Sequence, residues 1–340
     1  AQLKKVQHIS NLYKIEEQEE LSKYLTKQSC AESVFFCNSG AEANESAIKL
    51  IKKYGNTVHK GKESFILAAE SSFHGRTLAT LSATGQPKYQ KGFEPMVKGF
   101  KFFKYNNIAS VKKLFEELKK NDQKVSGILV EPIQGEGGVI PGDKLFFKEL
   151  REICNQNNSL LILDEVQSGV GRTGKMWGYE NLEIEPDGFT LAKGLGGGHA
   201  IGALLVQKKA NLFSPGDHAS TFGGNPFACR AAITVLEEIK RRKILKNVFE
   251  RGNQLNEGFT KISAKFPNII SGIRGLGLIQ GLVINDSYTD AKTITLKAFD
   301  KGLLLVPAGG NVVRFVPPLI ITRNEINILL KKLDLIFEEI

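Results

Sequence analysis

Short apolar runs alternate along most of the chain with stretches in which apolar residues recur every three or four positions. Short apolar runs bounded by polar residues are typical of buried strands, and they lie at residues 34–36, 65–69, 127–130, 160–163, 188–192 and 201–206. The recurring spacing indicates helices with one buried face, as at residues 111–118, 146–154 and 228–239. This alternation predicts an α/β fold with a mostly parallel sheet covered by helices.

The pattern changes after about residue 246, where shorter apolar runs at residues 277–284, 303–307 and 312–316 precede a helical stretch at residues 323–339. We interpret this part as a second, smaller α+β domain. The predicted division is an N-terminal segment at residues 1–20, a large domain at residues 21–245 and a small domain at residues 246–340.

Composition narrows the class of protein. Hydrophobic residues make up 41% and charged residues 24% of the 340 positions, which excludes a disordered chain. No apolar run approaches the ~20 residues of a membrane span. The net charge of +10 is compatible with nucleic acid or a membrane surface as partner. Because the basic residues are spread along the chain, we favour a solvated surface or a site for small anions, and expect no nucleic-acid or membrane partner.

Cysteine and histidine usage gives little support for a metal site. The four cysteines form no CxxC pair, and the five histidines form no HExxH motif, so we predict no bound metal. Scattered cysteines in a chain of this length are typical of a reducing compartment, and we expect the cytoplasm.

Two motifs follow predicted strands and precede helical patterns. In FCNSGAEANE (residues 36–45), Ser39 and Glu42 have the spacing of a capping box. Gly40 would let a ligand approach the free N–H groups of the first helical turn, which bind phosphate well. In SSFHGRT (residues 71–77), Phe73 could stack on a ring and Arg76 could bind a carboxylate. Taken singly, an ordinary capped helix and a turn with a surface arginine explain these motifs as well.

Charged residues end two further strands. LLILDEVQ (residues 160–167) delivers Asp164 and Glu165 at the end of an apolar run, where a buried carboxylate needs a cationic partner such as a protonated pyridine nitrogen. A metal-ligand pair or a helix cap is the alternative. TLAKGLGGG (residues 190–198) places Lys193 before four glycines. A lysine in a tight, partly apolar site has a lowered pKa and can form a Schiff base, although a lone lysine is more often a surface residue.

Residues 169–175 (GVGRTGK) match two nucleotide-binding patterns. The dinucleotide fingerprint should directly follow a strand and open a helix, but DEVQS intervenes and no helical periodicity follows. The Walker A motif needs Ser or Thr at position 176, which is Met. A dehydrogenase or NTPase built on this segment is therefore the weaker hypothesis.

The motifs in combination resemble the class-III (fold type I) pyridoxal-phosphate aminotransferases. The resemblance covers essentially the whole chain in the family's order, through NSGAEANE, FHGRT, EPIQGEGG (131–138), DEVQSGVGRTGK, AKGLGGG, STFGGNP (220–226) and RFVPPL (314–319). It implies a large domain with a mostly parallel seven-stranded sheet, a smaller α+β C-terminal domain, and pyridoxal 5'-phosphate as cofactor.

The resemblance also implies a role for each site residue. Lys193 matches the Schiff-base lysine that shuttles a proton to and from the substrate, and Asp164 matches the partner of the ring nitrogen. Thr221 would contact the cofactor phosphate of the neighbouring subunit, so a homodimer with shared sites is expected. The remaining cofactor contacts implied are Ser39, Gly40, Ala41, Phe73, Glu165, Val166 and Gln167. The substrate contacts implied are Arg76, Glu131, Glu136, Ser220 and Arg314, with Glu136 pairing to Arg314 until the acceptor arrives; a static ion pair is the alternative.

Within the family, the amino-acid sequence of residues 38–50 and 73–95 most resembles the branch that transfers the terminal amine of N-acetylornithine to 2-oxoglutarate. Branches that use ornithine, succinylornithine or 4-aminobutyrate share the catalytic residues and stay open. The family has a further segment before the position of Ala1, which supplies a small-domain strand and a loop over the substrate. Without that segment we expect the entrance to the substrate site to be incomplete and the catalytic and cofactor-binding residues to be intact.

Overall fold

The computed structural model describes residues 2–340, which form two sheets and the helices packed on them. The strands are β1 (Ser33–Cys37), β2 (Ser64–Ala69), β3 (Phe100–Phe103), β4 (Lys124–Val130), β5 (Ile133–Gln134), β6 (Ile140–Pro141), β7 (Leu160–Asp164), β8 (Gly188–Leu191), β9 (Gly202–Val206), β10 (Ile270–Leu276), β11 (Ile279–Ile284), β12 (Val306–Ala308) and β13 (Val312–Phe315). The helices are α1 (Glu16–Lys27), α2 (Gly40–Val58), α3 (Leu78–Ala83), α4 (Pro87–Gln90), α5 (Ile108–Lys120), α6 (Lys144–Gln156), α7 (Tyr179–Leu182), α8 (Pro226–Arg241), α9 (Ile244–Lys265), α10 (Ala291–Asp300) and α11 (Arg323–Glu338).

The large sheet has seven strands in the order β1-β9-β8-β7-β4-β2-β3. Strand β9 runs antiparallel to both of its neighbours, and the other pairs are parallel. The predicted α/β fold with a mostly parallel seven-stranded sheet is confirmed. Since β2, β4, β7 and β8 run the same way, their carboxyl ends meet at one edge, where ligand sites of such sheets form.

Both faces of the large sheet are covered, because alternate residues of a strand point to opposite faces. In β7, Leu161 and Leu163 belong to the core under α6 and α8. Leu160 and Ile162 belong to the core on the other face, under α2. Gly127 of β4 lets α2 lie close, since a Cβ there would be 2.9 Å from Ile51.

Helix α2 begins at the predicted cap. The Ser39 hydroxyl accepts a hydrogen bond from the Glu42 N–H at 3.2 Å. The Glu42 carboxylate accepts from the N–H of Asn38 at 3.0 Å, one residue before the donor of an ideal capping box. The helix N-terminus is thereby fixed directly after β1.

The second sheet is antiparallel, in the order β10-β11-β13-β12. Helices α9, α10 and α11 pack on one of its faces in a separate core that includes Leu282, Val313 and Phe315. The other face contacts the β5–β6 hairpin through a small cluster that contains Val139 and Val312. The small antiparallel sheet agrees with the predicted α+β region. The predicted boundary at residue 245 falls in the first turn of α9, and the division into domains stays a prediction.

Four strands were missing from the sequence prediction: β3, β5, β6 and β10. Strands β5 and β6 have only two residues each. Strand β3 has only four residues, FKFF, and Lys101 interrupts its apolar pattern at the edge of the sheet. Strand β10 (ISGIRGL) is mostly half-exposed and contains two glycines. None of the helices in residues 2–340 has the length and apolarity that a membrane crossing requires.

Candidate active site

A cavity of about 280 Å³ lies where β2, β4, β7 and β8 end. It brings together most of the residues that the sequence singled out, although these residues are spread over more than 150 positions of the chain. The predicted site residues that line it are Gly40, Ala41, Phe73, Arg76, Glu131, Asp164, Val166, Gln167 and Lys193.

Asp164 is held in one orientation by three donors. Its Oδ2 accepts from Asn44 Nδ2 at 2.7 Å and lies 2.8 Å from His74 Nδ1. Its Oδ1 accepts from the N–H of Val166 at 3.0 Å. The Asn44 amide is itself fixed, because the Thr190 hydroxyl donates to its Oδ1 at 2.8 Å. The buried carboxylate is therefore held in position at the cavity wall.

Asn44 and His74 were missing from the predicted site. Both lie inside motifs that the sequence analysis had already marked, four residues after Gly40 and directly after Phe73. Buried polar residues need partners, and the carboxylate at the end of β7 was the partner available. That signal could have found them.

Lys193 follows β8 and faces the same cavity. Its φ of +36° lies in the left-handed region, which is uncommon for a residue with a side chain and is typical of functional sites. The side chain is accessible from the cavity, yet the protein around it desolvates the amine. This burial lowers the pKa of Lys193, and the negative charge of Asp164 opposes the shift. The neutral amine needed for nucleophilic and proton-transfer chemistry is thus favoured.

The N-terminus of α2 forms another part of the wall. A Cβ on Gly40 would lie 2.8 Å from a methyl group of Val166, so glycine is required where the two segments meet. The unpaired N–H groups and dipole of a helix N-terminus favour an anion such as phosphate. An acid, an amine, a phosphate-binding turn and the Phe73 ring together fit a phosphorylated pyridine cofactor.

Arg76 is exposed at the cavity and stacks on aromatic rings. Its guanidinium lies 4.3 Å from the ring centre of Tyr89 and 5.4 Å from that of Phe73. Tyr89 and Phe73 are in edge contact at 5.9 Å. These rings orient the guanidinium and leave its donors free for a carboxylate.

Glu131 is buried beside Asp164 and Lys193. It accepts a hydrogen bond from the N–H of Phe73 at 3.2 Å. Burial, with a further contribution from the charge of Asp164, raises the pKa of Glu131 well above its usual range. The geometry therefore favours the protonated acid at this wall.

Glu136 and Arg314 meet, as the sequence analysis paired them. Arg314 Nη1 donates to Glu136 at 2.7 Å and to the amide oxygen of Gln167 at 3.2 Å. Its buried Nε has no protein partner among the described residues. The pair and Lys193 also line an adjoining cavity of about 700 Å³.

The profile described as "Aminotransferase class-III" matches residues 1–337 of the chain. The chain belongs to the class-III aminotransferases. The cofactor of this family is pyridoxal phosphate. The chain is 96% identical, over all of its length and 82% of the relative's, to a protein of Prochlorococcus marinus subsp. pastoris named acetylornithine aminotransferase.

Solved structures of other aminotransferases have the same fold. An N-acetylornithine aminotransferase from Stenotrophomonas maltophilia superposes with a TM-score of 0.83 at 35% identity, covering 99% of this chain and 84% of that one. An ornithine aminotransferase from Toxoplasma gondii, described with partial occupancy of PLP at its active site, superposes with a TM-score of 0.92 at 29% identity, covering 99% and 79%.

Four of the predicted site residues, Ser39, Glu165, Ser220 and Thr221, line neither of the two cavities of this class-III aminotransferase. Glu165 is turned away, and its carboxylate accepts from the N–H groups of Gly178 and Tyr179. The prediction that Glu165 contacts the cofactor is therefore corrected, because its oxygens are committed to the backbone before α7. Ser39 lies next to the cavity as the cap of α2.

Ser220 and Thr221 lie on a surface loop outside the cavity. The Ser220 hydroxyl accepts from Asn38 Nδ2 at 3.1 Å, close to the start of α2. Thr221 is exposed. Neither residue is positioned to contact a ligand in the cavity of its own chain, and their predicted roles stay predictions.

Proposed function

We propose that this class-III aminotransferase transfers the terminal amine of N-acetylornithine to 2-oxoglutarate, giving N-acetylglutamate 5-semialdehyde and glutamate in arginine biosynthesis. The observation that carries the proposal is one cavity with Lys193 and Asp164 at its wall and two arginines, Arg76 and Arg314, within reach of it. The high identity to a protein named acetylornithine aminotransferase supports the choice of donor.

The cofactor's ring withdraws electrons from the carbon that carries the amine, which makes that carbon acidic. Asp164 would keep the ring nitrogen protonated through a buried charge-assisted hydrogen bond. The N–H groups of Gly40 and Ala41 would bind the phosphate. Phe73 and Val166 would pack on the two ring faces, and Gln167 would contact the ring hydroxyl.

Lys193 would hold the cofactor covalently between turnovers and move the proton during them. Its lowered pKa, caused by burial, brings the amine closer to the operating pH, where a group can both accept and return a proton. A protonated Glu131 beside it would add no further negative charge to the wall.

The two arginines divide the work of binding carboxylates. Arg76 carries no ion pair in the described chain and would bind the carboxylate that donor and acceptor both present far from the reacting carbon. The acceptor has a second carboxylate next to that carbon, which Arg314 would bind. Glu136 neutralises Arg314 at 2.7 Å during the donor half-reaction, when a bare buried charge would be unfavourable.

We also propose a homodimer whose sites each contain residues of both chains. The support is the exposure of Thr221 together with Phe222 (58% exposed) and Leu12 (90% exposed) on the same chain. Mixing Thr221→Val chains with Lys193→Ala chains should restore cofactor affinity at the heterodimer's lysine-bearing site. If cofactor affinity does not recover after verified subunit exchange, a shared site is rejected.

The four free thiols support a reducing compartment, and we propose the cytoplasm.

The proposed activity is tested by loading the protein with pyridoxal phosphate and following its absorption as each amine is added. Borohydride reduction should fix the pyridoxyl mass on the peptide that contains Lys193. N-acetylornithine should react with a higher kcat/KM than ornithine, succinylornithine and 4-aminobutyrate. A higher kcat/KM for one of the other three would replace the proposed donor, and no covalent adduct would reject the chemistry.

A further inference from the structure

The arginine of the segment GVGRTGK lies where the two sheets meet. Arg172 Nη1 donates to the carbonyl of Leu278 at 3.0 Å and to that of Pro317 at 2.6 Å. Leu278 belongs to the turn between β10 and β11, and Pro317 follows β13. One guanidinium thus joins the loop after β7 to two separate segments of the small sheet.

The contact is tight on the backbone as well. The N–H of Leu278 donates to the Arg172 carbonyl at 3.0 Å. Gly277, at φ +59°, lies so close that a Cβ would be 2.7 Å from the same carbonyl. The loop itself is strained, because Val170 is β-branched and has φ +56°. Such a conformation persists only where the surrounding contacts enforce it.

Arg172 forms no ion pair in the described part of the chain. Burial lowers the pKa of its guanidinium to about 10, without a compensating acid. The cation is therefore satisfied by backbone carbonyls, which fix a position and do not neutralise a charge.

The segments that Arg172 joins are those that carry the acceptor-binding group. Gln167 lies five residues before Arg172 on the same loop, and Arg314 lies three residues before Pro317 at the end of β13. Gln167 and Arg314 are hydrogen-bonded at 3.2 Å. The two segments are thus tied at two points, and β13 cannot shift along the loop without breaking the Pro317 contact.

We propose that Arg172 is a positioning residue that holds Arg314 over the cavity, and so determines how well the enzyme accepts a 2-oxo dicarboxylic acid. The inference rests on the proposed function, since it needs Arg314 to bind the acceptor's carboxylate. Arg172 does not touch the substrate in this account and acts through the strand end that carries Arg314.

The test compares the two half-reactions of the holoenzyme in single-turnover measurements. Arg172→Met should slow the reaction with 2-oxoglutarate about 10-fold, and the reaction with N-acetylornithine less than about 2-fold, because only the former uses Arg314. Arg241→Met is the matched control. It removes a cation of α8 that lies outside both cavities and pairs with Glu238 at the surface, so both half-reactions should stay within about 2-fold.

A double-mutant cycle separates positioning from general destabilisation. In an Arg314→Leu background, Arg172→Met should slow the acceptor half-reaction by less than about a further 2-fold, because the residue through which it acts is gone. A full 10-fold loss in that background, or equal losses in both half-reactions of the single variant, would overturn the proposal. If Arg172→Met does not fold, Arg172→Lys is used instead, and the rate losses in its two half-reactions are compared in the same way. A wild-type protein inactive with both substrates would reject the proposed function instead.

Discussion

The floor of the cavity, which we define as Lys193, Asp164 and the first turn of α2, rests on the large sheet alone. The rim, which we define as Glu136, Gln167 and Arg314, joins loops of the large sheet to a strand of the small one. The floor is fixed by parallel strand ends and buried hydrogen bonds, and under the proposed function its groups would act on any amine that reaches them. The rim depends on how the two sheets meet. The contrast suggests that chemistry and substrate choice are carried by separate parts of the structure.

The largest effect is expected at the floor. Lys193→Ala should slow both half-reactions by about 10³-fold or more, because the group that holds the cofactor and moves the proton is lost. Electrospray mass after borohydride reduction should show no pyridoxyl adduct at residue 193. An adduct of undiminished yield at a single other site would show that Lys193 is not the covalent lysine.

Asp164→Asn comes next and should again affect both half-reactions. The amide keeps the shape but has no charge to stabilise a protonated ring nitrogen, and losing a buried ion pair costs about 3–5 kcal/mol, on the order of 10²-fold or more in rate. Titration of the unloaded protein with pyridoxal phosphate should also show weaker binding. Unchanged affinity and rates would contradict the role given to this carboxylate.

The smallest effect on activity is expected for the carboxylate next in sequence. Glu165→Gln should leave both half-reactions within about 2-fold, since the side chain is turned away from the cavity. Its effect should appear in stability. Burial raises the pKa of Glu165 to about 8 from its ordinary 4.5, so the folded wild type keeps a proton that the unfolded chain releases between those pH values.

The sign of this pH dependence is fixed by that difference. As pH rises from about 4.5 to about 8, wild-type stability should fall relative to Glu165→Gln, by an amount on the order of a few kcal/mol. Urea unfolding at several pH values measures the difference. If the free energies of unfolding of wild type and Glu165→Gln change in parallel with pH across this range, Glu165 titrates normally and is not buried as the structure shows.

Asp164 and Glu165 also show how far the sequence could predict the site. The apolar run before them predicted a strand and hence the edge of the sheet where both would lie. Which carboxylate faces the cavity could not be read from the run, because consecutive side chains at a strand end point in opposite directions. The structure decides it through the donors: Asn44 and His74 on one side, and the N–H groups before α7 on the other.

The rim was harder to predict than the floor. The floor residues each follow an apolar run, so local patterns marked them as candidates, and the resemblance to a family gave them their roles. Arg314 and Glu136 are 178 positions apart, and only the resemblance to a family paired them. Arg172 lay within a motif that fits nucleotide-binding patterns, and its contact with Pro317 depends on the packing of the two sheets, which no local pattern encodes. Thr221 was placed by the resemblance alone.

The most direct test of the division between floor and rim is Arg314→Leu in single-turnover measurements of both half-reactions. The reaction with 2-oxoglutarate should slow by about 10- to 100-fold, since a charge-assisted hydrogen bond to a carboxylate contributes about 1.5–3 kcal/mol. The reaction with N-acetylornithine should change less than about 3-fold, because Arg314 is paired with Glu136 in that half of the cycle. Equal losses in the two half-reactions would contradict the account, since the rim would then serve the chemistry and not the choice of substrate.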